Sequence, residues 1–495
     1  MAEPGKIILP VTVGPVRIAF LSSEVAPFAK SGGLADVAFS LPKALSKLGH
    51  DARVFMPLYA RIDRARYGLR PLGPGPIEIR LLGQTVPFAL LTAELPGTEA
   101  PVYFVDCPRF YGRPSLYTND ADEPLRFLYF SRAVFEICQR LGFSPDILHA
   151  NDWQTALVPL LKKTLYSWDQ LFQPSRTVLT IHNIAYQGIA PAGVVQAIGL
   201  DRGLFDPADL RAGRVNLLKT GIVNAERLTT VSPTYALEIQ TEAQGYGLDA
   251  VLRSRTRDLT GILNGVDYDE WDPRVDSHLA QKYSPADTSG KAACKSDLLR
   301  AYGLPEFPDL PLVGITSRLV WQKGFDIVAG AWWDLLQRPL RMVVLGSGEA
   351  SVQDGLRQLA LRAPDRFAVR FAYDEALAHK IMGGADLFLM PSRSEPCGLT
   401  QMYALRYGTI PIVRATGGLA DTVEPFDAAG RKGTGFRFAT PDGTGLVWAL
   451  DQALAALRNA RAWEALMRRA MEKDFSWERS ARGYVDLYRR AISRV

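Results

Sequence analysis

Glu395 is the carboxylate with the most informative surroundings in this chain. It stands in Ser394-Glu395-Pro396-Cys397-Gly398, a polar loop between the short apolar run Leu387–Met390 and a helical pattern from Leu399 to Tyr407 that Gly408 closes. Ile410 to Val413 reads as another strand, and Gly417-Gly418 opens the next helix. This is a βαβα unit. In open α/β sheets, ligands bind beyond the C-terminal ends of such strands, beside helix N-termini that favour anions. Arg318 and Lys323 lie in a second strand-to-helix loop, SRLVWQKG, where two cations could grip a diphosphate. Lys30 beside Gly32-Gly33 puts a third cation next to bare backbone N–H groups. That loop is neither a Walker A loop nor GxGxxG, so by itself it names no ligand.

His182-Asn183 ends another strand, and a lone histidine there is more often a satisfied structural residue than a catalyst. The chain carries no Ser/His/Asp triad pattern, no HExxH and no EF-hand loop. The expected chemistry therefore uses no metal, no cofactor and no acylated nucleophile. A sugar nucleotide fits this inventory. Its diphosphate leaving group needs little protonation but gains from fixed positive charge as the glycosidic bond breaks. Glu395 could hold the sugar hydroxyls, whereas a glycosidase would need two facing carboxylates and only one is evident in these loops.

The elements that must position these groups alternate strand and helix. Arg17–Ser22 reads as a strand, Leu34–Leu48 as a helix, and Asp51–Met56 as the next strand. Tyr67 to Pro108 reads as antiparallel strands inserted in the sheet, and 112–123 as a polar loop. A helix is expected over Pro124–Leu141, then strand Asp146–Ala150, helix Asp152–Lys163, and strands Thr177–Ile181 and Leu228–Val231. Ser232 is the N-cap and Pro233 the first residue of the helix that follows. The rhythm pauses at 261–273, GILNGVDYDEWDP, which is taken as a linker. A second βα series runs through Leu312–Thr316, Arg341–Leu345 and a strand before Tyr373 to the Glu395 unit. An amphipathic helix begins near Trp477. GGLAD occurs at 32–36 and again at 417–421, each time after a strand and opening a helix. The expected layout is an extension 1–15, a first domain 16–260, the linker 261–273, a second domain 274–474, and a helix 475–495 that could cross back to the first.

With 495 residues the chain is too long for one core. Its 57 basic and 52 acidic residues leave +5, too mild and too dispersed for nucleic acid but compatible with a small anionic ligand. Cys107, Cys138, Cys294 and Cys397 are scattered, without CxxC spacing, which argues against a disulfide or metal framework. No apolar run approaches the roughly 18 residues of a membrane span, and the first residues lack the features of a leader. A cytoplasmic protein with no membrane partner is expected.

The motifs KSGGLAD, HANDWQ, TIHNIAYQG, GILNGVD, SRLVWQKG, PSRSEPCGLTQ and TGGLADT, in this order, resemble the bacterial glycogen synthase and plant starch synthase family. The resemblance runs from about Val16 into the final helix. It implies an α/β GT-B fold, two Rossmann-like doubly wound domains facing across a cleft. The implied reaction is retaining transfer of glucose from ADP-glucose to the non-reducing end of an α-1,4-glucan, glycogen or a maltooligosaccharide. By position, Lys30, Gly33, Arg318, Lys323 and the backbone at Gly418 would meet the diphosphate, and Tyr373 would stack on the adenine. Asp36, Asn264 and His182 would line the glucose site, with the His182 carbonyl near the anomeric carbon. Glu395, followed by Cys397, Gly398, Leu399 and Thr400, would orient the glucose and stabilise positive charge. Tyr117, Asp152 and Trp153 would lie on the acceptor side. Ser394 departs from the family's usual Phe. The alternatives are a non-catalytic glucan-binding paralogue, which should have lost one of the four charges Lys30, Arg318, Lys323 and Glu395, and a retaining GT-B enzyme using UDP-glucose.

Overall fold

The computed structural model describes residues 14–493 apart from 82, 119, 198, 307–309, 428, 430 and 431. Most of the expected N-terminal extension, residues 1–13, lies outside the described residues. The chain divides into two compact units. The first gathers residues up to Thr229, Tyr246–Leu259 and the chain from Ala481 onward; the second gathers Thr230–Gly245 and Thr260–Ser480.

The centre of the first unit is parallel. Strand Arg17–Leu21 pairs in parallel with Asp51–Pro57 on one side and Ile147–Asn151 on the other. Ile147–Asn151 continues to Arg176–Ile181, and Asp51–Pro57 to Pro101–Asp106. Beyond Pro101–Asp106 the sheet turns antiparallel through Gln84–Glu94, which also takes Ile77–Leu81 and Arg70–Pro71. This is the inserted antiparallel region read from 67–108. Strand Ile147–Asn151 is buried at every position, its polar His149 and Asn151 included, as expected of a strand covered by helices on both faces. Helices Gly33–Lys47 and Glu123–Leu141 bury long apolar faces against this sheet.

The expected helix Asp152–Lys163 is two helices, Asp152–Thr155 and Val158–Lys163. Asp152 has φ 53°, and Pro159 sits in the first turn of the second helix. A proline is tolerated there because its missing N–H has no intrahelical partner in any case. The last helix, Trp477–Ile492, enters the first unit's core. Tyr484 and Tyr488 are fully buried. The Tyr488 hydroxyl is 2.7 Å from His149 Nδ1, and His149 Nε2 is 2.6 Å from Thr180 Oγ1. Burial pushes the His149 imidazole down to about 3, so it is neutral in the folded protein.

The second unit is a fully parallel sheet of six strands, in the order Phe367–Arg370, Arg341–Leu345, Leu312–Thr316, Leu387–Met390, Ile410–Arg414 and Phe436–Phe438. Its two faces are covered by separate cores, sorted by strand alternation. Val313, Met342, Val344, Leu387, Leu389 and Ile412 enter one core. Val343, Leu345, Phe388, Met390 and Val413 enter the other. Because side chains alternate across a strand, four-residue apolar runs such as Leu387–Met390 can feed both. Helices Gly443–Leu457 and Ala460–Met471 close the first face through Leu446, Leu450 and Leu466. Helices Gly290–Tyr302 and Glu375–Gly384 close the second through Leu298 and Ile381.

The segment Thr230–Gly245 belongs to this second unit although it follows a strand of the first. Ser232 caps helix Pro233–Glu238 by accepting from Tyr235 N–H, as its sequence predicts. The same segment grips the second GGLAD copy. Asp421 accepts from Ser232 Oγ at 2.5 Å, Thr234 N at 3.0 Å and Thr234 Oγ1 at 2.6 Å. Glu238 Oε1 accepts from Thr416 Oγ1 and from Gly417 N–H at 3.0 Å. All four cysteines are free and buried. Among the described residues, no helix is long and apolar enough to cross a membrane.

Candidate active site

In the second unit, the loops after successive strands carry the expected groups. Lys323 Nζ stands 2.5 Å from Glu395 Oε2, and Ser392 Oγ donates to the same oxygen at 3.0 Å. Glu395 is 5% exposed, so its charge is compensated inside the protein rather than by water. Arg318 is exposed, and its guanidinium makes no hydrogen bond or ion pair among the described residues. One loop therefore holds a cation already spent on a carboxylate and a cation still open to an anion.

Two glycines let the next loop pass beneath Glu395. A Cβ on Gly417, whose φ is 42°, would meet Glu395 O at 2.0 Å, and one on Gly418 would meet Cys397 O at 2.0 Å. Neither position has room for another residue. The Gly418 N–H donates to the carbonyls of Glu395 and Pro396 at 3.2 and 3.1 Å. That N–H, at the backbone expected to meet the diphosphate, is bonded within the protein here. The glycine instead holds the Glu395–Cys397 turn against helix Gly417–Thr422. The Gly417 N–H is likewise occupied, by Glu238.

Asn264 packs on the same turn, its backbone N–H bonded to Cys397 and burial pushing that thiol up to about 12. Asn264 is 7% exposed, and its Oδ1 is buried with no hydrogen-bond partner among the described residues. Buried polar atoms are rarely left so. Gly398 has φ 69°, and helix Thr400–Arg406 starts just beyond Leu399. Thr400 Oγ1 lies 3.4 Å from Met390 Sδ. Tyr373 follows strand Phe367–Arg370 and is 77% exposed. Ser394 is buried, and its carbonyl accepts from Gln322 Nε2, which ties the Glu395 loop to the Lys323 loop.

In the first unit, the Lys30 loop differs from its sequence reading. Ser31 N–H and Gly32 N–H donate to Glu24 Oε2 at 2.5 and 3.2 Å, and Ser31 Oγ donates to Glu24 Oε1 at 3.0 Å. The backbone donors read as bare are largely taken by a carboxylate of the protein itself. Lys30 Nζ pairs with Asp36 Oδ1 at 2.6 Å, while Gly33 opens helix Gly33–Lys47. Glu24, which the sequence reading did not single out, is 4% exposed. Burial raises its pKa, and the loop N–H groups oppose that rise. Its signal was a carboxylate just past the first strand's C-terminal end.

Tyr117 joins this cluster, its hydroxyl 3.1 Å from Glu24 Oε1 and 2.8 Å from Ser23 Oγ. Phe127 connects Tyr117 to Trp153, with ring centroids at 5.9 and 5.2 Å. Asp152 Oδ1 accepts from the His182 and Asn183 backbone N–H groups at 2.7 and 3.4 Å. Burial raises the Asp152 carboxyl to about 7 against those donors. His182 Nε2 donates to Asn151 Oδ1 at 2.9 Å, and burial lowers the imidazole to about 3. The ring is neutral and oriented. Asp152 thereby fixes the backbone that carries the His182 carbonyl.

Residues 17–254 match the family model described as the starch synthase catalytic domain, and residues 303–465 match glycosyl transferases group 1. The glycogen synthase of Anaeromyxobacter sp. (strain Fw109-5) is 50% identical over 479 residues, covering 96% of this chain and 99% of that one. The chain belongs to the glycogen synthase family. Glycogen synthase 1 of Geobacter metallireducens is 46% identical over 485 residues, with 96% of each chain covered. Among solved structures, the catalytic domain of starch synthase IV from Arabidopsis thaliana bound to ADP and acarbose aligns with a TM-score of 0.90. It is 37% identical, and the match covers 97% of this chain and all of that one. A sucrose-phosphate synthase from Thermosynechococcus elongatus, 19% identical with a TM-score of 0.60, shares the fold. The protein is a glycosyltransferase with the two α/β domains of the GT-B fold, as its motifs imply. Membership of the glycogen synthase family places the charged loops described above in an enzyme.

Proposed function

We propose that the protein transfers glucose from ADP-glucose to the non-reducing end of an α-1,4-glucan, with retention and release of ADP, in the cytoplasm. The observation that carries the reading is the buried Lys323–Glu395 pair beside the unsatisfied Asn264 Oδ1. A cation suited to a diphosphate and a carboxylate suited to a sugar neutralise each other there while an acceptor waits unpaired.

Arg318 and Lys323 hold the diphosphate and stabilise the charge it gains as the glycosidic bond breaks. Lys323 turns from Glu395 to phosphate as it does so. Glu395, relieved of its cation, then faces developing positive charge at the anomeric carbon and accepts hydrogen bonds from glucose hydroxyls. Asn264 Oδ1 accepts from a glucose hydroxyl, and Tyr373 stacks on the adenine. Lys30, Gly33 and Asp36 contribute from the first unit's glycine loop, and the His182 carbonyl faces the anomeric carbon. A neutral imidazole suits that role, since an imidazolium there would repel the developing oxocarbenium charge. Tyr117, Asp152 and Trp153 serve the acceptor, glycogen or a maltooligosaccharide. The starch synthase IV structure, bound to ADP and acarbose, supports both ligand classes.

A glucose-incorporation assay with glycogen, comparing ADP-glucose with UDP-glucose, tests the reading. Transfer from ADP-glucose, with UDP-glucose at least tenfold poorer in kcat/KM, is expected. A preference for UDP-glucose would move the protein to another donor class. Glucan binding without transfer from either donor would leave a non-catalytic paralogue.

A further inference from the structure

We propose that Glu270, Glu375 and His379 form a divalent transition-metal site, zinc being the best match, outside the transfer machinery. A ring nitrogen of His379 and one carboxylate oxygen from each glutamate all lie within 4.8 Å of one another. Ligand atoms around a tetrahedral zinc stand about 3.3 Å apart, given bonds of about 2.0–2.2 Å. Both glutamates are exposed.

The histidine is built for the task. It is 2% exposed. Its Nδ1 is 2.8 Å from Asp276 Oδ2, which also accepts from the Tyr407 hydroxyl at 2.6 Å. That leaves Nε2 as the nitrogen for a cation. A carboxylate on the far nitrogen fixes the tautomer and the ring's orientation, as in carboxylate–histidine–zinc arrangements. Trp271 stacks on the imidazole at 3.7 Å and on Tyr403 at 4.0 Å, so the ring cannot swing away. Imidazole together with two carboxylates favours zinc or a neighbouring transition ion over magnesium or calcium, which prefer all-oxygen shells. Three protein ligands leave a fourth position for water.

The site would clip the segment Glu270–Asp276, which follows Asn264 within the second unit, to helix Glu375–Gly384. Its role is mechanical, holding the chain that follows a proposed glucose-site residue.

The test uses the full chain, stripped with chelator, titrated with zinc alone and then with magnesium alone. Calorimetry should show one zinc per chain at micromolar affinity, with a rise in Tm that magnesium does not reproduce. Glu270→Gln with Glu375→Gln changes only exposed side chains, so the variant folds. It should weaken zinc at least tenfold and abolish the Tm shift. Cobalt in place of zinc should give visible d–d absorption in the wild type alone. The absence of stoichiometric zinc binding, or zinc affinity unchanged in the double variant, would overturn the assignment.

Discussion

Replacing Lys323 by Met removes the cation beside Glu395 while keeping most of the stem volume. The pair is well buried, with side-chain exposures of 19% for Lys323 and 7% for Glu395. Breaking a buried pair from one side costs about 3–5 kcal/mol because the remaining charge is stranded. Ser392 Oγ still donates to Glu395 Oε2, and Lys323 is not wholly dry, so about 3 kcal/mol is expected. The reverse change, Glu395→Gln, leaves an ammonium that can reach water and should cost only about 1 kcal/mol. In a double-mutant cycle read by denaturant unfolding of the second unit, the coupling should be about 2 kcal/mol. Values adding within about 0.5 kcal/mol would show the two groups to be independent. On the proposed reading the same pair also sets ADP affinity, because ADP has to detach Lys323 from Glu395 in the wild type. In Glu395→Gln that step disappears, so calorimetry should show ADP binding unchanged or tighter by up to about tenfold, about 1.4 kcal/mol, while turnover is largely lost. ADP affinity collapsing in Glu395→Gln with turnover preserved would refute the assignment of sugar to Glu395 and phosphate to Lys323.

Glucose transfer should persist in excess chelator even as the zinc-dependent rise in Tm disappears; turnover lost on chelation and restored by a divalent ion would contradict the roles given to Arg318 and Lys323. Gly418→Ala should destabilise the Glu395 turn by more than 2 kcal/mol, about the cost of severe overpacking, because the new Cβ meets Cys397 O; a variant with wild-type melting and turnover would show that the turn yields. His149 and His182 are held neutral, at about 3 against 6.5 for free imidazole, so acid favours the unfolded chain. Each should remove up to about 1.4 kcal/mol per pH unit below pH 6.5. Asp152, raised to about 7 from 3.8, acts oppositely: its contribution is complete below pH 3.8 and is lost as pH rises through 7. Asp152→Asn should therefore make the first unit lose stability more steeply between pH 6.5 and 4 in a pH series of melting curves; an unchanged slope would mean that Asp152 is ionised throughout.

What the sequence disclosed follows from which interactions are local. Leu387–Met390, Arg341–Leu345 and Leu312–Thr316 were legible as strands because a strand fed from both faces is a short, nearly continuous apolar run. Ser232-Pro233 was legible as a helix start because capping is decided within four residues. Groups whose partners lie far along the chain were not legible. Glu24 reads as an ordinary acid until the fold returns Ser31, Gly32 and Tyr117 to it. The two GGLAD copies look alike, yet Asp36 pairs with Lys30 while Asp421 anchors Ser232 and Thr234. The excursion of 230–245 into the second unit has no local signature, because Asp421 and Glu238 must meet partners nearly two hundred positions away. Glu375 and His379 stand one helical turn apart, but Glu270 lies far upstream, so no local motif joins the three. The break at Ala156-Leu157 was hidden by the apolar run that continues across it from Ala156 to Leu161.

The bond between His149 and Tyr488 joins residues 339 positions apart. A ribosome delivers the chain from one end, and domains made first generally fold first. Here the sheet containing Ile147–Asn151 is synthesised early, but the helix that fills its core with Tyr484 and Tyr488 emerges only after the whole second unit. The later-made unit can therefore close before the earlier one. Until helix Trp477–Ile492 arrives, the first unit carries an unfilled apolar seat. Loss of that helix through premature termination would leave the seat permanently open, marking the defective product for chaperones and proteases while its Lys323–Glu395 loop stayed intact.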